Sequence, residues 1–274
     1  MTSVNSAILE SDIDTIDAKY LMCFVLNIEL SDLPLKFDYN LSDAEYKKFT
    51  KLVKIRKTGT PIDIITGSKG FWASDFVVNE NVLSPRPDSE TIIESVLQHR
   101  TDKNKKYNIL DLGTGSGCLL ISLLLEYKNS IGIGVDISQK ALSIAKTNAD
   151  NNGLTNLIDF IQSDWFDNIP TQKFDIIISN PPYIPTYELK NLQEEVKKFD
   201  PVLALDGGND GLDCYRNILK QMHNYIDKDS IIVVEFGYNQ HQEINNLFLL
   251  NGYKLLSRQF DLSKIIRSHT YKKL

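Results

Sequence analysis

The first part of the chain carries apolar residues at helical spacing. Ser42 followed by Glu45 matches a capping box, in which each side chain bonds the backbone of the other residue where a helix begins. Apolar side chains then recur three and four positions apart, which is typical of an amphipathic helix, at Tyr46, Phe49, Leu52, Val53 and Ile55. Gly59 and Pro61 end this helix. We therefore predict a small helical domain over residues 1–68.

From Thr91 onward, short apolar runs alternate with amphipathic stretches. The predicted strands are Tyr107–Leu112, Ile131–Val135, Leu157–Ile161, Phe174–Ser179 and Ile231–Phe236. The predicted helices between and after them are Leu119–Tyr127, Ala141–Ala149 and Gln242–Leu250. Strands that alternate with helices predict an α/β fold, in which a parallel sheet is covered on both faces. Ligands of such sheets bind at the carboxyl ends of the strands, so polar residues there are the candidates for chemistry.

Two short segments separate these patterns. The apolar residues between Phe71 and Val78 are interrupted by polar positions, which predicts a β-hairpin or an extended linker over residues 69–84. Leu83–Asp88 is too rich in proline for a regular helix or strand. It predicts a rigid boundary that ends at a helix cap near Asp88 or Ser89. The α/β domain is therefore expected over residues 85–274.

Composition and charge narrow the possible partners. The chain has 274 residues, 42% of them hydrophobic, and its 30 basic and 36 acidic residues give a net charge of −6. A net acidic chain without a basic run is a poor candidate for binding a phosphate backbone through bulk charge. The apolar run Tyr20–Ile28 is far shorter than the roughly 20 residues of a membrane helix. We expect neither a stable nucleic-acid complex nor a membrane protein.

The cysteines and histidines show no pattern that predicts a disulfide or a metal site. Cys23, Cys118 and Cys214 lie far apart and form no CxxC pair. The histidines have no spacing with carboxylates that suggests a metal or a catalytic triad. The N-terminus lacks the basic start of a signal peptide. We expect a cytoplasmic protein without a metal.

A glycine-rich loop follows the first predicted strand of the α/β domain: Asp111-Leu112-Gly113-Thr114-Gly115-Ser116-Gly117. Glycines allow a sharp turn and a close approach to a ligand, and the following helix offers free N–H groups. Dinucleotide sites require G-x-G-x-x-G, but Cys118 stands at the third glycine position. The D-x-G-x-G-x-G spacing is the one associated with S-adenosylmethionine, whose cationic ammonium or sulfonium suits Asp111. Taken alone, this loop also fits a tight turn without a ligand.

Polar residues follow the next two predicted strands. Asp136 lies roughly 20 residues past the glycine loop, the offset at which an acidic residue bonds ribose hydroxyls. Asp164 is placed to accept from an adenine amino group, with Trp165 or Phe166 beside the ring. Each aspartate alone also fits a helix cap or a turn. Because such features occur at successive strand ends, we predict a nucleotide-type ligand, S-adenosylmethionine.

The fourth predicted strand ends in a proline-rich motif, Asn180-Pro181-Pro182-Tyr183-Ile184-Pro185. Prolines remove backbone donors and leave carbonyl oxygens available, while Asn180 adds a side-chain carbonyl and an amide. This set forms a rigid acceptor site for a planar –NH2 group, with Tyr183 as a flat face for stacking. Acceptors on both hydrogens orient a weakly nucleophilic nitrogen and stabilise the positive charge that grows on it during methylation. The alternative is a proline-stiffened turn without chemistry.

Several further segments complete the pattern around these two motifs: Arg56-x-x-Gly59-x-Pro61, Phe71-Trp72, Val82–Glu90, Ser163–Phe166, Phe199-Asp200-Pro201-x-x-Ala204-Leu205, Gly208-x-Asp210-Gly211-Leu212-Asp213 and Glu235-x-Gly237-x-x-Gln240. With them, the chain resembles the HemK-type peptide-chain release factor glutamine N5-methyltransferases across nearly its whole length. The Pro-Arg-Pro and Asp-Gly-Leu-Asp segments distinguish this family from nucleic-acid methyltransferases with Asn-Pro-Pro-Tyr, which generally lack both segments.

This resemblance implies a fold, a reaction and a set of site residues. The fold is a seven-stranded, Rossmann-like class I methyltransferase domain preceded by a small helical bundle that helps to dock the substrate. The expected reaction is methyl transfer from S-adenosylmethionine, giving S-adenosylhomocysteine, to the glutamine side-chain nitrogen (N5) of the Gly-Gly-Gln motif in class 1 release factors. The expected cofactor contacts are Asp111, Gly113, Thr114, Gly115, Ser116, Gly117, Asp136, Asp164, Trp165 and Asn180. The expected substrate contacts are Asn180, Pro181, Pro182 and Tyr183, of which Asn180, Pro181 and Tyr183 are the catalytic residues.

Two other functions remain open at this stage. An N6-adenine or N2-guanine methyltransferase acting on DNA or RNA can use the same Asn180–Tyr183 site on a flipped base. Against it stand the net charge of −6 and the absence of a separate target-recognition domain. A partner protein that binds S-adenosylmethionine without turnover is the other possibility. The intact Asn-Pro-Pro-Tyr motif and Asp111 argue against it.

Overall fold

The computed structural model describes residues 2–274. The helices, in chain order, are α1 (Val4–Leu9), α2 (Thr15–Leu26), α3 (Asp43–Lys57), α4 (Ile62–Thr66), α5 (Glu90–His99), α6 (Cys118–Glu126), α7 (Gln139–Asn151), α8 (Glu194–Phe199), α9 (Asp213–Met222) and α10 (His241–Leu250). The strands are β1 (Ser68–Phe71), β2 (Ser74–Val77), β3 (Asn108–Leu112), β4 (Ile131–Asp136), β5 (Ile158–Gln162), β6 (Phe174–Ser179), β7 (Ile226–Glu235), β8 (Tyr253–Phe260) and β9 (Ile266–Lys273). Within residues 2–274, no helix combines the length and apolar character needed to span a bilayer.

The chain forms two compact units. One contains the residues up to Ser68 together with Gln193–Phe199, and the other contains Lys69–Leu192 and Asp200–Leu274. The short helix α8 therefore groups with the N-terminal helices, although its residues fall inside the range 85–274 that the sequence pattern assigns to the α/β domain.

The N-terminal unit is a helical bundle. The predicted capping box is present, since the Ser42 hydroxyl accepts from the backbone N–H of Glu45 and the Glu45 carboxylate accepts from the backbone N–H of Ser42. Helices α2 and α3 bury their apolar faces in a common core around Leu21, Met22 and Phe49. Arg56 at the end of α3 bonds Asp17 of α2 over 2.6 Å and lies 3.7 Å from Glu195 of α8.

The second unit is built on a mostly parallel sheet that has seven strands within the described residues, in the order β5-β4-β3-β6-β7-β9-β8. Strands β3 to β7 run parallel, with Leu112 paired to Val135 of β4 and to Ser179 of β6. Strands β8 and β9 are antiparallel additions at the β7 side. This confirms the predicted α/β class and its strand number. The hairpin β1–β2 forms a separate two-stranded sheet, which begins at Ser68.

The large sheet is covered on both faces because successive residues of its central strands enter different cores. Leu110 and Ile177 belong to one buried cluster, which α9 and α10 complete. Their sequence neighbours Ile109 and Ile176 belong to the other, which α5 and α6 complete. Strand order reverses direction between β3 and β6, so the crevice for a ligand lies at the carboxyl ends of these two strands.

Candidate active site

The glycine loop after β3 turns back towards β4 through a series of backbone contacts. Gly113, Gly115 and Gly117 have φ angles of +75°, +54° and +80°, a region that favours glycine. The N–H groups of Gly113 and Thr114 both donate to the carbonyl of Val135, over 2.9 and 2.8 Å. The predicted glycines are therefore required by the geometry of the turn itself, and Gly117 directly precedes α6.

The two carboxylates of this region differ in what they contact. Asp111 is fully buried, and its Oδ2 accepts from the Thr114 hydroxyl over 2.7 Å while its Oδ1 has no partner. Burial raises the pKa of Asp111 to about 7, opposed by that hydrogen bond. Asp136 accepts from the backbone N–H groups of Gly115 and Ser138, both over 2.9 Å. Burial also raises the pKa of Asp136.

A cavity of about 280 Å³ opens beside the loop at the carboxyl ends of β3, β4 and β6. The sequence-predicted residues that line it are Gly113, Thr114, Gly115, Ser116, Asp136, Asp164, Trp165, Asn180 and Pro182. Four other predicted residues do not line the cavity: Asp111, Gly117, Pro181 and Tyr183. The structure thus brings together both predicted motifs around one space.

Trp165 and Asp164 lie at the β5 side of this space. Trp165 has a φ angle of +48° and packs in part against the buried core. A Cβ built on Gly113 would lie 3.9 Å from its ring, so the glycine loop runs along the indole. Asp164 is exposed beside it. These two side chains form an aromatic wall and an acceptor at one end of the cavity.

Asn180–Pro185, which we call the acceptor loop, continues from β6 in an extended form. Ile184 pairs with the segment before α9, donating to the carbonyl of Leu205 over 3.0 Å and accepting from the N–H of Gly207 over 2.8 Å. Asn180 is half-buried, and its Nδ2 donates to the Ser89 hydroxyl over 3.0 Å. Tyr183 packs against the core, and burial raises the pKa of its phenol.

The acceptor loop is held by residues to which the sequence pattern assigns no role. Gln240 donates to the backbone carbonyls of Tyr183 and Gly211 and accepts from the N–H of Gly237. Gly207 lies so close that a Cβ there would be 2.7 Å from the Tyr183 Cα. These residues occur in the segments that carry the family resemblance. In the sequence, these residues can therefore be recognised only as parts of the family motifs, and not from their spacing relative to other residues.

The fold, with a ligand crevice at the reversal of strand order, is Rossmann-like, and the comparison with known families identifies the class as a methyltransferase. Residues 103–251 match the family described as "Methyltransferase domain", and residues 5–67 match "PrmC N-terminal domain". A crystal structure of a methyltransferase from Pyrococcus furiosus has a similar fold, with a TM-score of 0.56, 16% identity and coverage of 75% of this chain and 91% of that chain.

Two relatives narrow this class. The release factor glutamine methyltransferase of Agrobacterium fabrum is 34% identical over 261 residues, covering 94% of this chain and 90% of that protein. The chain belongs to the release factor glutamine methyltransferase family, as the sequence motifs predict. The bifunctional methyltransferase of Rickettsia typhi is 37% identical over 257 residues, covering 88% of this chain and 50% of that protein. The chain thus spans about half the length of this relative.

Proposed function

We propose that the protein transfers a methyl group from S-adenosylmethionine to the side-chain amide nitrogen of the glutamine in the Gly-Gly-Gln motif of class 1 release factors. The observation that carries this proposal is the position of Asn180, which lines the same cavity as the glycine loop and begins the acceptor loop. Membership of the family and the relative from Agrobacterium fabrum support the choice of acceptor.

The cavity suits S-adenosylmethionine by its donor set. Asp136 would bond ribose hydroxyls, and Trp165 with Asp164 would contact the adenine. The cationic methionine end would lie along Gly113–Ser116, above the buried Asp111 carboxyl, whose Oδ1 has no partner. Gly113 and Gly115 have no side chains, so the backbone of the loop can approach the ligand closely at these two positions. When bound, S-adenosylmethionine supplies an electrophilic methyl group.

The residues of the chain orient the acceptor nitrogen. With Nδ2 of Asn180 directed to Ser89, its Oδ1 is free to accept one hydrogen of the glutamine amide. A backbone carbonyl of the acceptor loop accepts the other, because the prolines leave no competing N–H there. This arrangement stabilises the positive charge that grows on nitrogen as the carbon–nitrogen bond forms. Asn180 is not a base, so the proton leaves to water after transfer.

The proposed partner is a free or ribosome-bound release factor, and the proposed location is the cytoplasm, where translation takes place. The alternative function, methylation of DNA or RNA, has less support. The net charge of −6 offers little attraction to a phosphate backbone, and the family contains proteins named for release factors.

The test is methyl transfer from labelled S-adenosylmethionine to a purified class 1 release factor. A release factor whose Gly-Gly-Gln glutamine is changed to alanine serves as the matched control, because it differs only at the acceptor. Label on the first protein and none on the second is the expected result. If neither protein is labelled and label is transferred to DNA or ribosomal RNA instead, the assignment of glutamine as the acceptor is wrong. The assignment of Asn180 to the acceptor site would still hold.

A further inference from the structure

Two buried polar side chains lie beside Asn180: Ser89, which also lines the cavity, and Glu235, which does not. Ser89 is 3% exposed and accepts from Asn180 Nδ2 over 3.0 Å. Glu235 is 2% exposed and ends β7, one position past the pair formed by Ser179 and Val234, so it is the strand neighbour of Asn180. Burial raises the pKa of the Glu235 carboxyl to about 7, and hydrogen bonding from the Ser89 and Asn180 side chains opposes this shift.

The direction of these hydrogen bonds follows from the chemistry of each group. A serine hydroxyl has one proton, and because Ser89 accepts from Asn180, that proton is available to a further acceptor. A carboxyl group keeps an acceptor oxygen whether or not it is ionised. The donors therefore run from Asn180 through Ser89 to Glu235. This order holds Nδ2 inward and leaves Oδ1 as the group that faces the cavity.

We propose that Ser89 and Glu235 are positioning residues, which fix the Asn180 amide with its Oδ1 towards the acceptor nitrogen. The inference rests on the proposed function, because it concerns the acceptor of methyl transfer. Glu235 Oε2 is buried without a partner, and a carboxyl in such a place contributes little to stability.

Two substitutions of Glu235 separate positioning from a purely structural role. Glu235→Leu removes the acceptor for Ser89, whereas Glu235→Gln retains one carbonyl oxygen for it. We expect kcat to fall about tenfold or more in the leucine variant and to stay within about threefold in the glutamine variant. Glu235 does not line the cavity, so the KM for S-adenosylmethionine should remain unchanged in both.

Thermal unfolding of the same variants sets the temperature for this comparison. Leucine leaves the buried Ser89 hydroxyl without an acceptor, and glutamine buries an NH2 group where Oε2 has no partner, so both variants should lose some stability. The kcat values are therefore compared well below the lower of the two melting temperatures, where both variants are folded. There the glutamine variant should retain turnover and the leucine variant should not. Equal turnover of the two folded variants would mean that Glu235 has only a structural role, and the proposal would be wrong.

Ser89→Ala tests the middle of the chain of hydrogen bonds. Ser89 precedes α5, but its side chain makes no capping hydrogen bond, so alanine should leave the helix intact. The matched control is Ser95→Ala, which removes a buried hydroxyl from within α5, one that contacts Thr270. We expect Ser89→Ala to lower kcat about tenfold and Ser95→Ala to leave it unchanged. Equal effects of the two substitutions would contradict the proposal.

A spectroscopic measurement keeps this inference separate from the proposed function. In protein labelled with ¹⁵N-asparagine, assigned by comparison with an Asn180 variant, the side-chain amide of Asn180 reports its own hydrogen bonds. Ser89→Ala should shift one of its two proton signals and speed its exchange with water. Unchanged signals would refute the positioning role. Failure of the wild-type protein to methylate release factors would refute the function and leave this result standing.

Discussion

Replacing Gly207 by alanine tests how closely the acceptor loop has to be positioned. A Cβ at this residue would lie 2.7 Å from the Tyr183 Cα, 2.9 Å from the Pro182 carbonyl oxygen and 2.9 Å from the Gly211 Cα. Carbon atoms pack at about 3.5–4.0 Å, and these neighbours are backbone, so the loop has to move by roughly 0.8 Å or more. Because a misplacement of about 1 Å can lower a rate by about 10²-fold, we expect kcat to fall between about 10- and 100-fold.

The assay compares kcat, cofactor affinity and stability of the Gly207→Ala variant with those of the wild type. Gly207 does not line the cavity, so affinity for S-adenosylmethionine by calorimetry should be unchanged. Overpacking costs about 1–3 kcal/mol of unfolding free energy, which a melting curve detects. Gly70→Ala is the control, since its Cβ meets only Asp75 at 3.5 Å. Wild-type turnover in the Gly207 variant would refute the claim that the loop tolerates little displacement.

Three further substitutions test the roles of single side chains. Asn180→Ala should lower turnover by about 10²-fold or more and leave cofactor affinity largely intact; full turnover would remove Asn180 from the reaction. Asp136→Ala should mainly weaken cofactor affinity, measured by calorimetry, because it removes the acceptor for Gly115 and Ser138; normal affinity with lost turnover would contradict the ribose contact. Gln240→Glu should lower kcat about tenfold, because a carboxylate cannot donate to the carbonyls of Tyr183 and Gly211. Unchanged steady-state kinetics would show that the acceptor loop keeps its position without these hydrogen bonds.

The central part of the fold could be predicted because its strands are continuous apolar runs. Burial on both faces of β3, β4 and β6 requires such runs, and the predicted Phe174–Ser179 coincides with β6. Strands β8 and β9 and helix α9 were not among the predicted elements. In β8, buried and exposed residues alternate, and β9 buries the polar residues Ser268, His269 and Thr270 completely. A search for apolar runs does not find either pattern.

The candidate site could be predicted in part for a related reason. Residues that follow strands reach the same edge of the sheet, so the glycine loop and Asn180 were expected to meet. Their supports come from distant positions that no local pattern relates. Ser89 bonds a residue 91 positions away, and Gln240 bonds the carbonyl of a residue 57 positions away. Only the tertiary fold shows that these side chains act on the acceptor loop.

The two halves of the site are held by different parts of the sheet. The glycine loop is fixed by Asp136, which ends β4, and by Asn148 of α7, which donates to the Ser116 carbonyl over 2.9 Å. The acceptor loop is fixed by Gln240, at the start of α10, and by Gly207 before α9. They meet where β3 and β6 end, and there the Ser179 hydroxyl donates to the Leu112 carbonyl over 2.7 Å. With separate supports, the acceptor loop and its surroundings can change to fit a different –NH2 group while the cofactor half keeps its geometry. Cofactor affinity and acceptor turnover should therefore respond to different sets of substitutions.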